Sequence, residues 1–97
     1  MNQEYQIKTT ITDIENKLDK NNNTFFKVWI TWELGKPRVF YAFSTDFNLK
    51  DTTLQLLTNS PEKLISQRVT ITYQEVESKD GNGTYYRIRE IEYYESH

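Results

Sequence analysis

The segment NTFFKVWITWE, residues 23–33, constrains the fold more than any other stretch of the chain. Read at period two, it separates into two sets. Phe26, Val28, Ile30 and Trp32 are uniformly apolar, while Phe25, Lys27, Trp29, Thr31 and Glu33 mix rings with charge. Successive side chains of a strand point to opposite sides, so the spacing predicts a half-buried β-strand over residues 24–33 with the first set inward. The second set is the unusual one. It leaves two large rings, Phe25 and Trp29, on the outward face beside Lys27.

β-branched and aromatic residues dominate much of the rest, which favours strands. From about Tyr5, the residues Ile7, Thr9 and Ile11 alternate, and Ile14 then follows Ile11 by three. Ile7, Ile11, Ile14 and Leu18 also match a helical stripe. The TTIT run favours a strand, and a bulge near Thr12 or Asp13 would restore the alternation. DKNNNT, residues 19–24, reads as a loop. LGKP, residues 34–37, turns the chain into a third strand over residues 38–44. There Val39, Tyr41 and Phe43 form the more apolar set and are expected inside, with Arg38, Phe40, Ala42 and Ser44 outside. Leu54, Leu57, Leu64 and Ile65 suggest short helical pieces between residues 46 and 67. Asp51 and Ser60 are candidate caps, with Pro61 at a first helical position. A fourth strand over residues 68–77 turns Val69, Ile71 and Tyr73 to one face. KDGNG, residues 79–83, is a turn. A fifth strand over residues 84–94 turns Tyr86 and Ile88 inward and Tyr85 and Arg87 outward.

The expected architecture is all-β with a short helical connection after the third strand. Five strands, one long and bulged, can curl into a small closed barrel that the helical segment plugs. A length of 97 residues fits one domain, residues 1–97, with a core over about residues 5–94. The chain has no cysteine, which excludes disulfides and thiolate zinc sites. It has no apolar run long enough for a transmembrane helix, and its polar start lacks the apolar stretch of a signal peptide. A cytoplasmic protein with no membrane contact is expected.

Catalytic chemistry has little to work with. The one histidine is His97, so no Ser/His/Asp set can be assembled. Gly35, Gly81 and Gly83 sit in turn sequences rather than in a phosphate-cradling loop. Glu75 with Glu77, and Glu90 with Glu92, are more simply charged strand surface than metal ligands. No enzyme activity, catalytic residue, cofactor or metal is expected.

The net charge of −2 argues weakly against a nucleic-acid partner, but the charge is uneven. Residues 24–45 carry Lys27, Lys36 and Arg38 against Glu33, a net +2, and this basic segment is also the aromatic one. The outward set of Phe25, Trp29 and Phe40 beside Lys27 and Arg38, with Tyr85 and Arg87 from the fifth strand, suits single-stranded nucleic acid. Bases stack on rings at about 1–3 kcal/mol each, while Lys and Arg meet phosphates. Exposed rings also mark protein interfaces, so a protein partner or a homo-oligomer face stays open. Packing of the rings beneath a terminus stays open too.

At pattern level the chain resembles the OB-fold family, in particular its small single-stranded DNA-binding proteins. The resemblance spans roughly residues 5–94. TDIENKLDKNNNTFFKVWITW (residues 12–32) is similar to the family's first strand, loop and second strand. SPEKLISQRVTITY (residues 60–73) is similar to its entry into strand four, and GTYYRIREIE (residues 83–92) to its last strand. Ser66 stands where the family often has glycine. The resemblance implies a five-stranded Greek-key barrel with ligand across strands two and three, flanked by loops 19–23 and 79–83. Phe25, Lys27, Trp29, Arg38 and Phe40 would lie on that face. The expectation is single-stranded nucleic-acid binding, DNA before RNA, with little sequence preference. The alternative is a protein-interaction barrel, such as a phage or mobile-element inhibitor of a host protein, or an oligomerisation module.

Overall fold

The computed structural model describes residues 3–79 and 81–94; Asp80 and the C-terminal His97 lie outside them. Five strands form a closed barrel: β1 (Glu4–Leu18), β2 (Thr24–Thr31), β3 (Pro37–Phe43), β4 (Arg68–Glu77) and β5 (Thr84–Tyr93). Their order around the barrel is β1-β2-β3-β5-β4, the OB-like arrangement. One helix, α1 (Asp51–Asn59), lies between β3 and β4. No helix among the described residues is long and apolar enough to cross a membrane.

The length of β1 follows from its having two partners. Its first part pairs with β4, setting Ile7 against Ile71 and Thr9 against Val69. Its second part pairs with β2, setting Ile11 against Ile30 and Ile14 against Val28. The register shifts between Ile11 and Asp13, so Thr12 is the extra residue the apolar spacing predicts. The helical alternative for this segment does not occur. At the bulge, Ile11 exchanges bonds with the connector ahead of β4: its N–H donates to the Gln67 carbonyl, and its carbonyl accepts from Ser66 N–H at 2.7 Å. Ser66 holds that contact with φ at +69°, a conformation glycine adopts without strain.

The barrel closes where β3 meets β5 in parallel, with one registered pair, Tyr41 and Arg87. Beyond it the edge of β5 is covered by the helical segment. Lys50 N–H donates to the Arg89 carbonyl at 2.9 Å, and Ile91 N–H donates to the buried Thr53 hydroxyl at 3.0 Å. Unpaired strand edges invite foreign pairing, so this cover removes a hazard as well as closing the barrel. Leu57, Leu64 and Leu49 carry the apolar contact of this end into the core. Asp51 is the first residue of α1 rather than its cap, which is Lys50, and Ser60 makes no side-chain capping bond. Pro61 does open the following 3-10 turn.

Strand β3 faces the opposite way from the sequence expectation. Phe40 and Ala42 are fully buried, while Val39, Tyr41 and Phe43 lie half-buried on the outside. The hairpin register is the cause. Val28 pairs with Phe40 and Phe26 with Ala42, and residues directly opposite share a face. Because Phe26 and Val28 are inward, their partners must be inward too. The register is set by the connection, where Trp32 N–H donates to the Lys36 carbonyl at 2.6 Å.

The end of the barrel near this hairpin is aromatic. Phe40, Tyr73, Tyr86 and Trp32 pack with centroid separations of 4.8 Å (Phe40–Tyr73), 5.1 Å (Tyr73–Tyr86) and 5.9 Å (Trp32–Tyr86). Arg38 lies over them, 4.9 Å from the Trp32 ring and 5.4 Å from that of Tyr86.

Candidate nucleic-acid interface

The hairpin register arranges the outer face of β1, β2 and β3 in cross-strand rows. One row is Lys17, Phe25 and Phe43, the next is Glu15, Lys27 and Tyr41, and the third is Asp13, Trp29 and Val39. β5 continues the face with Tyr85 and Arg87. Four half-buried rings touch one another here. Tyr41 and Phe43 stack at 6.1 Å with an interplanar angle of 11°, and Phe25 tilts against Phe43 at 5.8 Å. Tyr85 stands edge-on to Tyr41 at 5.8 Å and to Phe43 at 6.1 Å. Offset and edge-on pairs are favourable geometries for rings, so the patch is self-supporting without being buried.

Arg87 anchors the β5 side. Its Nη2 donates to the Tyr85 hydroxyl at 3.0 Å, and its guanidinium lies 5.8 Å from the Phe43 ring. Asp46, on the loop after β3, brings Oδ2 to 3.8 Å from Arg87 Nε. The pair is an ionic contact and not a hydrogen bond, since both atoms are buried without a hydrogen-bond partner.

The β1 side differs. Trp29 Nε1 donates to Glu15 at 2.8 Å, Lys17 lies 3.6 Å from the same carboxylate, and Lys27 Nζ is 5.9 Å from the indole centroid. The Trp29 hydrogen bond, helped by the charges of Lys17 and Lys27, holds the Glu15 carboxyl below its ordinary range against the opposing effect of burial. Trp29 is therefore pinned by its edge toward β1.

Two open grooves flank Phe43 and Tyr85. One, of about 400 Å³, runs between Tyr41, Phe43, Tyr85 and the β4–β5 turn at Asn82 and Gly83. The other, of about 450 Å³, runs past Phe43 to Asp19, Phe47, Lys79 and Arg87. Both lie within the roughly 300–1,000 Å³ range of small-ligand clefts. The β1–β2 loop is tightly built, with Asp19 Oδ1 accepting from the N–H groups of Asn21 and Asn23 at 2.8 and 2.9 Å.

Of the residues singled out in the sequence, Phe25, Lys27, Trp29, Tyr85 and Arg87 share this face. Two do not. Phe40 is inside the barrel with no exposed surface, and Arg38 caps the aromatic end, stacked on Trp32 and Tyr86. Both displacements have one origin, the inverted facing of β3. The same inversion brings out Tyr41 and Phe43, which the sequence reading had put inside. Phe47 was also missed, since a ring in a turn belongs to no periodic pattern. Among the described residues no group of three or more His, Cys, Asp or Glu is placed to hold a metal.

Barrel and face together define the class: a closed five-stranded OB-like barrel carrying a partly exposed aromatic patch between two loops. No protein-family model matches the chain, and no curated protein matches it.

Proposed function

We propose that this protein binds single-stranded nucleic acid, DNA before RNA, with little sequence preference and without catalysing a reaction. The observation that carries the reading is the continuous set of rings, Phe25, Tyr41, Phe43 and Tyr85, half-exposed across three strands. Every base has a flat face, so such a surface accepts any sequence. Two or three stacked bases at about 1–3 kcal/mol each leave micromolar affinity once ordering costs are subtracted. Lys27, in the middle row, is the best-placed phosphate partner, with Lys17 and Lys79 at the margins. Arg87 is opposed by Asp46 and serves chiefly to hold Tyr85. The cytoplasm is the compartment that goes with this reading, and no cofactor is needed.

The test is tryptophan fluorescence or labelled-strand anisotropy on titration with oligo-dT at low and then moderate salt. Saturable binding that weakens as salt rises is expected. No binding at either salt would overturn the proposal.

One observation favours a second reading, a protein-binding or self-association face. Two of the cations beside the rings have a carboxylate close by, Lys17 with Glu15 and Arg87 with Asp46, which lowers the positive potential. Light scattering tests self-association. Pull-down from a host lysate, with and without nuclease treatment, separates a protein partner from a nucleic-acid one.

A further inference from the structure

Phe47 serves no packing role in the fold. It is fully exposed, at 103% of the reference surface, where burial of a phenyl ring would contribute about 1.5–3 kcal/mol. The turn that carries it is nevertheless firmly built. Asp46 N–H donates to the Phe43 carbonyl at 3.0 Å, Leu49 N–H to the Asp46 carbonyl at 3.2 Å, and Asn48 N–H to Asp46 Oδ1 at 2.9 Å. Leu49, two residues on, is buried. The Asp46 side chain is only 7% exposed and faces Arg87, the residue that also holds the Tyr85 hydroxyl. Turn and ring patch thus share one anchor. Phe47 borders the same groove as Phe43 and Tyr85, with Lys79 also on its rim.

Among the described residues, Leu34 and Leu18 are also strongly exposed but have no ring to offer, and the partly exposed rings of Tyr5, Tyr93 and Tyr94 do not line this groove. A flat group presented on a fixed turn beside other flat groups is suited to stacking. We propose that Phe47 is a further base-stacking residue of the same site. A single strand leaving the Tyr41, Phe43 and Tyr85 rings crosses the groove, places its next base on Phe47, and passes a phosphate by Lys79. This inference rests on the single-strand reading above.

The experiment measures anisotropy of 5′-labelled oligo-dT of increasing length with wild type, F47A, F47L, F47W and F43A. Because Phe47 is exposed, all three Phe47 variants should melt like wild type. On strands long enough to reach the turn, F47A and F47L should bind at least about fivefold more weakly, while F47W should retain affinity. On the shortest strands that bind, the three should match wild type. If F43A loses affinity but F47A does not at any length, Phe47 lies outside the site while the single-strand reading stands. Recovery by F47L would overturn stacking in favour of a plain apolar contact. If wild type binds no strand at all, the parent reading falls and this one with it.

Discussion

Two aromatic clusters share strands β3 and β5. Phe40 and Tyr41 adjoin on β3, and Tyr86 and Tyr85 adjoin on β5, yet the first of each pair points into the barrel and the second points out. Each cluster has four rings and an arginine: Arg38 capping Trp32 and Tyr86 at the mouth, Arg87 beside Phe43 and Tyr85 on the wall. The inner set is part of the core and its edge. The outer set is held by ring-on-ring contact and a hydroxyl bond and keeps part of its surface in water. The lesson is that aromatic content alone does not mark a binding surface. The pleat divides the rings between the core and the outer face.

The largest effect that could break this division is at Phe40. Phe40→Ala should cost about 3–5 kcal/mol, read as a fall in the denaturation midpoint. A small change would mean that β3 faces as its composition suggests and the two clusters have been exchanged. Next come Tyr41→Ala and Phe43→Ala. Each should weaken oligo-dT binding about tenfold or more while costing less stability than Phe40→Ala. Loss of stability matching Phe40→Ala would make the outer rings core in all but position.

Arg38→Ala should remove a cation–π contact at an exposed site, about 0.5–1 kcal/mol, and leave the salt dependence of binding unchanged. A flattened salt slope would return Arg38 to the phosphate path. The smallest effect is confined to alkaline pH. Burial, with Tyr86 and Tyr5 nearby, raises the Tyr73 hydroxyl above its usual value of about 10. Above that pH the unfolded chain gives up the proton and the folded barrel keeps it, so unfolding releases protons and stability falls as pH rises. The contribution is intact below about pH 10 and lost through the folded value. Tyr73→Phe should flatten that alkaline limb in melting curves and change nothing in it at neutral pH. Parallel limbs in the two proteins would place Tyr73 in water.

Much of this was legible in the residues. Alternation gave β2, β4 and the start of β5 with the correct faces, and the three-residue step from Ile11 to Ile14 gave the bulge at Thr12; the second register shift, between Ile88 and Glu90 on β5, went unread. The facing of β3 was not legible, because both of its sets are apolar: Val39, Tyr41 and Phe43 on one side, Phe40 and Ala42 on the other. Composition preferred the wrong set. The hairpin connection decides parity, and a one-residue difference in register exchanges every side chain of a strand. The candidate site inherited that error at Phe40 and Arg38 and kept Phe25, Lys27, Trp29, Tyr85 and Arg87, whose strands were read correctly. Ser66 is a smaller case. Nothing about serine announces a left-handed backbone, which here comes from the connector that must reach the carbonyl of Ile11.

The single registered pair joining β3 to β5 has a consequence for motion. Every other junction in the barrel is a ladder of several residues; this one is a seam. Local opening starts where the fewest backbone bonds must break, so the barrel should breathe along Tyr41 and Arg87 before it opens elsewhere. Tyr41 and Phe43 stand on one bank of that seam and Tyr85 on the other. Anything lying across these rings straddles the opening and holds it shut, so amide exchange along β3 and β5 would slow on binding even though no strand has moved.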